Sequence, residues 1–149
     1  LEFDSLVKEV MSLYEASGQH DAIALSLNAT GKKVEADPVR LRQVIHNLVK
    51  NALEAVHDKS NAEIIIGTSL QGQEDNAAIV LEVMDNGHGF DEETLSKVFE
   101  PYVTTKTKGT GLGLAVVKKI IEEHGGMIAA SNRAEGGAHL LVRLPLANE

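Results

Sequence analysis

Hydrophobic residues recur at helix and strand periods in an order that predicts most of the elements. Residues 3–16 (FDSLVKEVMSLYEA) put Leu6, Val7, Val10, Leu13 and Tyr14 at the spacing of one helix face, and Gly18 ends the run. Residues 22–28 and 33–36 read as two short strands about a Thr30-Gly31 turn. Asp37-Pro38 opens a long helix, with Asp37 as N-cap and Pro38 in its first turn. Its apolar stripe is Leu41, Val44, Ile45, Leu48, Ala52, Ala55 and Val56. Apolar runs at 62–70 and 77–84 predict strands joined by the polar turn Gln71–Asn76, followed by a glycine-rich turn at Asp85–Gly89. Residues 92–97 fit one or two helical turns, and 99–111 read as an irregular loop rich in Thr, Lys and Gly. A helix over 112–124 buries Val116, Val117, Ile120 and Ile121 and stops at Gly125-Gly126. Strands at 127–131 and 138–144 close the chain before Pro145. This order predicts an α+β fold: a two-layer α/β sandwich, a mixed sheet with helices on one face. It lacks the regular strand–helix alternation of a doubly wound sheet.

Composition narrows the function. The 149 residues suit one domain spanning 1–149 with one core. Hydrophobic residues make up 43% and aromatics 3%, with no Trp, so the core must be aliphatic and a reader of stacked single-stranded bases is disfavoured. A formal net charge of -8 argues against wrapping a phosphate backbone, so no nucleic-acid partner is expected. It does not argue against one nucleotide held by backbone N–H groups, a few lysines and Mg²⁺. The absence of Cys excludes disulfides and thiolate metal sites and fits a cytoplasmic setting. No apolar stretch approaches the roughly 20 residues that cross a bilayer, and no signal peptide is visible, so no direct membrane contact is expected. The chain begins at Leu1, as expected for a piece of a longer protein.

Four constellations are candidates for chemistry. Asn47 and Asn51 lie four apart on the long helix, with Glu54 in the same stripe. Amide oxygens suit Mg²⁺, a hard cation that keeps waters and substrate phosphates; a solvent-facing polar stripe fits the same spacing. Asp85-Asn86-Gly87-His88-Gly89 follows an apolar strand. It reads either as a type I′ hairpin turn, or as a buried carboxylate that accepts a hydrogen bond from the adenine amine beside two glycines that let the backbone approach the base. Lys108-Gly109-Thr110-Gly111-Leu112-Gly113-Leu114 precedes a helix and fits a phosphate cradle, or a flexible loop leading into a helix. Its GxGxG spacing is neither a dinucleotide fingerprint nor a Walker A loop. Lys106 and Lys108 lie in this loop, within reach of terminal phosphates or simply solvated. Phe99-Glu100-Pro101-Tyr102 suits an anchor at the foot of a loop, or ordinary loop packing.

Taken in order, Asn47-x-x-x-Asn51-Ala52, Asp85-x-Gly87-x-Gly89, Phe99-x-Pro101-Tyr102 and Gly109-x-Gly111-x-Gly113-Leu114 resemble the N, G1, F and G2 boxes of sensor histidine kinases. The resemblance covers about residues 37–145. The stretch FEPYVTTKTKGTGLGLAVVKKIIEEHGG is especially similar to nitrogen-regulation sensor kinases of the NtrB/NtrY type. It implies the Bergerat fold, with ATP and Mg²⁺ as cofactors and a lid over about 90–109. Asn51 would be the main Mg²⁺ ligand, with Asn47 near the triphosphate. Asp85 would bind adenine, with Gly87 and Gly89 in the pocket wall and Phe90 and Leu112 as apolar contacts. Gly109, Thr110, Gly111 and Gly113 would contact the phosphates.

The resemblance further implies a histidine kinase whose partners are the dimerisation and histidine-phosphotransfer domain of the same protein and the receiver domain of a response regulator. The setting would be cytoplasmic, or the cytoplasmic part of a membrane-bound sensor. Residues 1–18 would be the helix connecting from that preceding domain. His20-Asp21 and His57-Asp58 have the acidic neighbour of a phosphoacceptor but not the following Pro, so the acceptor is expected before residue 1. Glu54 stands where many family members have Lys or Arg, and Lys106 is the expected replacement for that charge. Gly136-Gly137-Ala138-His139 replaces the commoner Gly-Thr-x-Phe, with little effect expected. Relatives that hydrolyse ATP carry a Glu where Asn47 stands here. An ATP-driven conformational ATPase of the same fold and a non-catalytic nucleotide-sensing module remain the alternatives.

Overall fold

The computed structural model describes residues 1–16, 22–73, 76–100 and 113–147. Its elements are α1 (Phe3–Ala16), β1 (Ile23–Leu27), α2 (Pro38–Ala55), β2 (Ile64–Gln71), β3 (Ala78–Asp85), α3 (Glu92–Ser96), α4 (Gly113–Glu123), β4 (Met127–Asn132) and β5 (Ala138–Pro145). The strands form one sheet in the order β1-β2-β3-β5-β4, with β1 parallel to β2 and the other pairs antiparallel. This is the expected mixed sheet.

Alternation along the strands assigns its two faces. In β5, Ala138, Leu140, Val142 and Leu144 are buried while His139, Leu141 and Arg143 are half-buried. In β2 the buried positions are Ile64, Ile66 and Thr68. The buried rows meet Phe3, Leu6, Val7, Val10 and Met11 of α1, Leu41, Val44, Ile45, Leu48, Val49 and Ala52 of α2, and Val117, Ile120 and Ile121 of α4 in one core. Each fully buried aliphatic side chain of this kind contributes about 1.5–3 kcal/mol, so the core is the main driving force for the sandwich. Helix α1 is part of that core. Three positions differ from the periodic reading of α1: Leu13 is exposed, and Phe3 and Met11 fill the space instead. Ala55 and Val116, expected in the stripes, are half-buried.

The second short strand expected at 33–36 does not form. Lys33 makes a single bridge to Glu2, the Phe3 N–H donates to Lys32 O, and the Val34 N–H donates to Leu1 O. The Ala147 N–H donates to Lys33 O. Both ends of the chain thus take the main-chain groups that a hairpin would have used. β1 instead pairs in parallel with β2, with Ile23 opposite Ile64.

A buried polar knot bends the chain away from the hairpin. Asp4, 1% exposed, accepts from the Ala29 N–H at 2.9 Å and from the Thr68 hydroxyl at 2.7 Å. The Asn28 N–H donates to Thr68 Oγ1 at 3.0 Å. Buried polar groups cost most when one partner is deleted. Thr68→Val, nearly isosteric, removes a donor to Asp4 and an acceptor for Asn28. It should destabilise the chain by about 1–3 kcal/mol, read from the urea midpoint. A midpoint equal to the parent's would refute the role given to this knot.

The helices are also tied to one another. Arg42 pairs with Glu9 between α2 and α1, and Tyr14 Oη lies 3.1 Å from His46 Nδ1. Asp37 caps α2, its Oδ1 accepting from the Val39 N–H at 2.9 Å, as expected from the sequence. At the other end of the α2–α4 contact, Arg40 bonds Glu123 at 2.7 Å. His124 lies just beyond α4. Its Nδ1 is 2.7 Å from Ile120 O, and its Nε2 is 3.2 Å from the Asp37 N–H. A carbonyl only accepts and an N–H only donates, so the two contacts match the tautomer that carries its proton on Nδ1. Among the described residues, no helix is long and apolar enough to cross a membrane.

Candidate functional site

The site lies where the last turn of α2, the end of β3 and the β4–β5 hairpin meet. In β3 the positions Ile79, Leu81, Val83 and Asp85 share one face, and all are buried. The strand period therefore aims Asp85 at the helical layer, where it is 3% exposed. Its Oδ1 accepts from the Gly87 N–H at 2.8 Å and from the Ala138 N–H at 3.3 Å. Among the described residues neither bond falls on Oδ2. The carboxylate is held by one oxygen, and the other is left for a donor.

The chain does not return as a hairpin after Asp85. The Asn86 side chain accepts from the Glu63 N–H and donates to Asn61 O, each at 2.8 Å, which docks the turn onto the segment before β2. Residues 92–96 then form α3 instead of a pairing strand. Asp91 caps it by accepting from the Thr94 N–H at 2.7 Å, and that bond holds the Asp91 carboxyl below its ordinary range. The hairpin reading of Asp85–Gly89 is thereby excluded.

Both glycines of this turn have a packing reason. A Cβ on Gly87 would lie 2.5 Å from Ala55 O, so only glycine lets the turn rest on the C-terminal end of α2. Gly89 has φ +72°, and a Cβ there would lie 2.8 Å from Asn132 Oδ1. Asn51 lies one helical turn before Ala55 and is half-buried, as are Asn47 and Glu54. Asn47 Nδ2 donates to Gly113 O at 3.4 Å, which links α2 to the first residue of α4. Gly113 itself is exposed, with no atom within 4 Å of an added Cβ.

Phe90 is half-buried, and both of its main-chain polar groups are bonded to Asn132. The Phe99 ring lies 5.7 Å from Lys118 Nζ of α4, a cation–π contact that fastens the residues after α3 to that helix. Lys106, Lys108, Gly109, Thr110, Gly111 and Leu112 lie outside the described residues, as do Pro101, Tyr102 and the lid expectation beyond residue 100.

Sequence reasoning missed the β4–β5 hairpin as part of the site. Arg133 Nη1 donates to Asp85 O at 2.8 Å, and its Nη2 pairs with Glu135 at 3.1 Å. Gly137, at φ +98°, would put a Cβ 1.9 Å from Asp85 O. The one visible signal was Gly136-Gly137, which the sequence offers only as a departure from the commoner Gly-Thr-x-Phe. Among the described residues, no group of three or more His, Cys, Asp or Glu side chains could hold a metal ion. The groups that are present suit a polar ring edge at Asp85, an anion at the N-terminal end of α4, and a hard cation at an amide oxygen.

The family model of histidine kinase-, DNA gyrase B- and HSP90-like ATPases matches residues 36–148. Sensor protein FixL of Bradyrhizobium diazoefficiens is 37% identical over 139 residues, covering 93% of this chain and 27% of FixL. An NtrY-like sensor histidine kinase of Rickettsia bellii is 42% identical over 110 residues, covering 74% of this chain and 17% of that protein. This chain therefore spans about a quarter or less of these relatives. The solved catalytic domain of histidine kinase ThkA superposes with a TM-score of 0.79 at 36% identity, covering 97% of this chain and 93% of that one. ThkA has also been solved in complex with the response regulator protein TrrA.

Proposed function

Because the chain belongs to the family of histidine kinase-, DNA gyrase B- and HSP90-like ATPases, we propose that it binds Mg²⁺·ATP and presents the γ-phosphate to a histidine on a separate helical domain, for relay to a response regulator. The observation that carries this reading is the Asp85 carboxylate, buried and pinned through Oδ1, with Oδ2 available to the exocyclic amine of adenine. A base bearing a carbonyl in place of that amine would set oxygen against oxygen, so the arrangement selects adenine.

Asn51 fits a magnesium site of the kind that uses few protein ligands. Its hard amide oxygen would hold Mg²⁺, with phosphate oxygens and waters as the remaining ligands. A Mg²⁺ ion held there would supply the positive charge that phosphoryl transfer from ATP calls for at the phosphates. The N-terminal end of α4 and its helix dipole would attract the same phosphates. Glu54 repels them, and Lys106 is proposed to supply the missing positive charge. Asn47 favours phosphotransfer over hydrolysis: its amide is engaged with Gly113 O and has no basic group with which to activate water.

In this reading residues 1–149 form one catalytic domain, α1 leads in from a preceding dimerisation domain, and the protein works on the cytoplasmic side, where ATP is. Calorimetry on the folded chain should detect Mg²⁺·ATP binding, and labelled ATP with a cognate helical hairpin should label the hairpin histidine. Asn51→Ala should weaken Mg²⁺-dependent binding about tenfold or more, and Lys106→Ala should slow phosphotransfer. Efficient ATP turnover by the chain alone would favour a conformational ATPase. Nucleotide binding without labelling of any hairpin would favour a sensing module.

A further inference from the structure

We propose that Asn132 is a positioning residue for the nucleotide site, holding the Phe90 main chain through a two-bond amide clamp. The proposal rests on the reading of Asp85 and Phe90 as the adenine wall. The pairing of β3 with β5 ends at Met84 opposite His139, so residues 86–91 leave the sheet with no strand beside them among the described residues. Main-chain N–H and C=O groups in such a segment still require partners. Asn132 Nδ2 donates to Phe90 O at 2.6 Å, and Asn132 Oδ1 accepts from the Phe90 N–H at 2.8 Å. The planar amide thus does for one residue what a neighbouring strand would do, and only one orientation of it pairs both groups. Aspartate has the acceptor without the donor.

The fit is mutual, because a Cβ at position 89 would lie 2.8 Å from Asn132 Oδ1. The next residue, Arg133, bonds Asp85 O, so neighbouring side chains at the end of β4 grip both ends of the Asp85–Phe90 segment. The tasks are separate. Asp85 takes its orientation from the Gly87 and Ala138 N–H groups, and Phe90 takes its orientation from Asn132. Asn132 therefore sets how firmly the wall meets a bound base, not which base is chosen.

Asn132 is exposed, so Asn132→Ala and Asn132→Asp should fold. Calorimetry with Mg²⁺·ATP, ADP and GTP, and amide exchange by NMR, provide the test. Asn132→Ala should weaken ATP and ADP alike by about tenfold, the scale of two lost hydrogen bonds, and leave the preference for ATP over GTP unchanged. Exchange of the Phe90 amide should rise about tenfold while the β5 amides keep their protection. Asn132→Asp, with a carboxylate oxygen against Phe90 O, should bind as weakly as Asn132→Ala. Unchanged affinity, parent-like binding by Asn132→Asp, or faster exchange throughout β5 would each overturn the clamp. If the parent binds no adenine nucleotide, the reading of the pocket fails first and the positioning role falls with it.

Discussion

Asp85→Asn should fold and lose nucleotide binding by about a hundredfold or more. The new amide can place its oxygen where Oδ1 now accepts from Gly87 and Ala138, and this keeps both internal bonds. Its NH₂ then occupies the position of Oδ2 and meets the adenine amine donor to donor. A hydrogen bond to a charged acceptor contributes roughly 1.5–3 kcal/mol, and leaving buried donors opposed costs about 1–3 more. The sum, about 2.5–6 kcal/mol, reaches or exceeds the roughly 2.7 kcal/mol that a hundredfold change requires. The flipped amide would restore the acceptor to the base but leave two main-chain N–H groups without theirs, so it trades affinity for stability. Calorimetry and a urea titration on the same sample separate these outcomes. Binding within a few-fold of the parent at an unchanged midpoint would remove Asp85 as the adenine acceptor.

Legibility in the sequence followed the range of the interactions involved. The α2 start at Asp37-Pro38, the α4 stop at Gly125-Gly126 and the alternation of β5 are local patterns, and each stands where periodicity and capping put it. The hairpin at 22–36 failed because its competitors are distant. Residues 1–3 and 147 bond the 32–34 segment, and β2 pairs with β1 across some forty residues. Local polarity cannot rank a turn at Thr30-Gly31 against a buried Asp4 that draws the same turn onto α1. At the candidate site, Asp85 was legible because a carboxylate closing an apolar strand is anomalous. Asn132 and Arg133 were not, since both act on main-chain atoms, which leave no mark in the partner's side chain. The same reasoning explains why little effect was expected of the Gly136-Gly137 departure: the constraint on Gly137 is a carbonyl more than fifty residues away in the chain.

Gly136 and Gly137 allow steric overlap to be separated from backbone strain. Both have positive φ, +103° and +98°, so alanine at either position adopts a conformation that L residues avoid, at about 1–2 kcal/mol. Their surroundings differ. An added Cβ at 136 meets nothing within 4 Å, whereas at 137 it would lie 1.9 Å from Asp85 O and 2.8 Å from Asn86 Cα. These are main-chain atoms, held by the β3–β5 pairing on one side and by the Arg133 bond on the other, so no rotamer change relieves the overlap. Gly136→Ala should therefore cost about 1–2 kcal/mol, and Gly137→Ala about 2–5 kcal/mol, by adding overpacking to the same strain. The second change should also abolish nucleotide binding under conditions where the protein is still folded, because the atoms displaced are those of Asp85 and its turn. Urea titrations of the two variants decide it: equal midpoints would mean that the hairpin yields at 137 as freely as at 136, and that it does not brace the carboxylate.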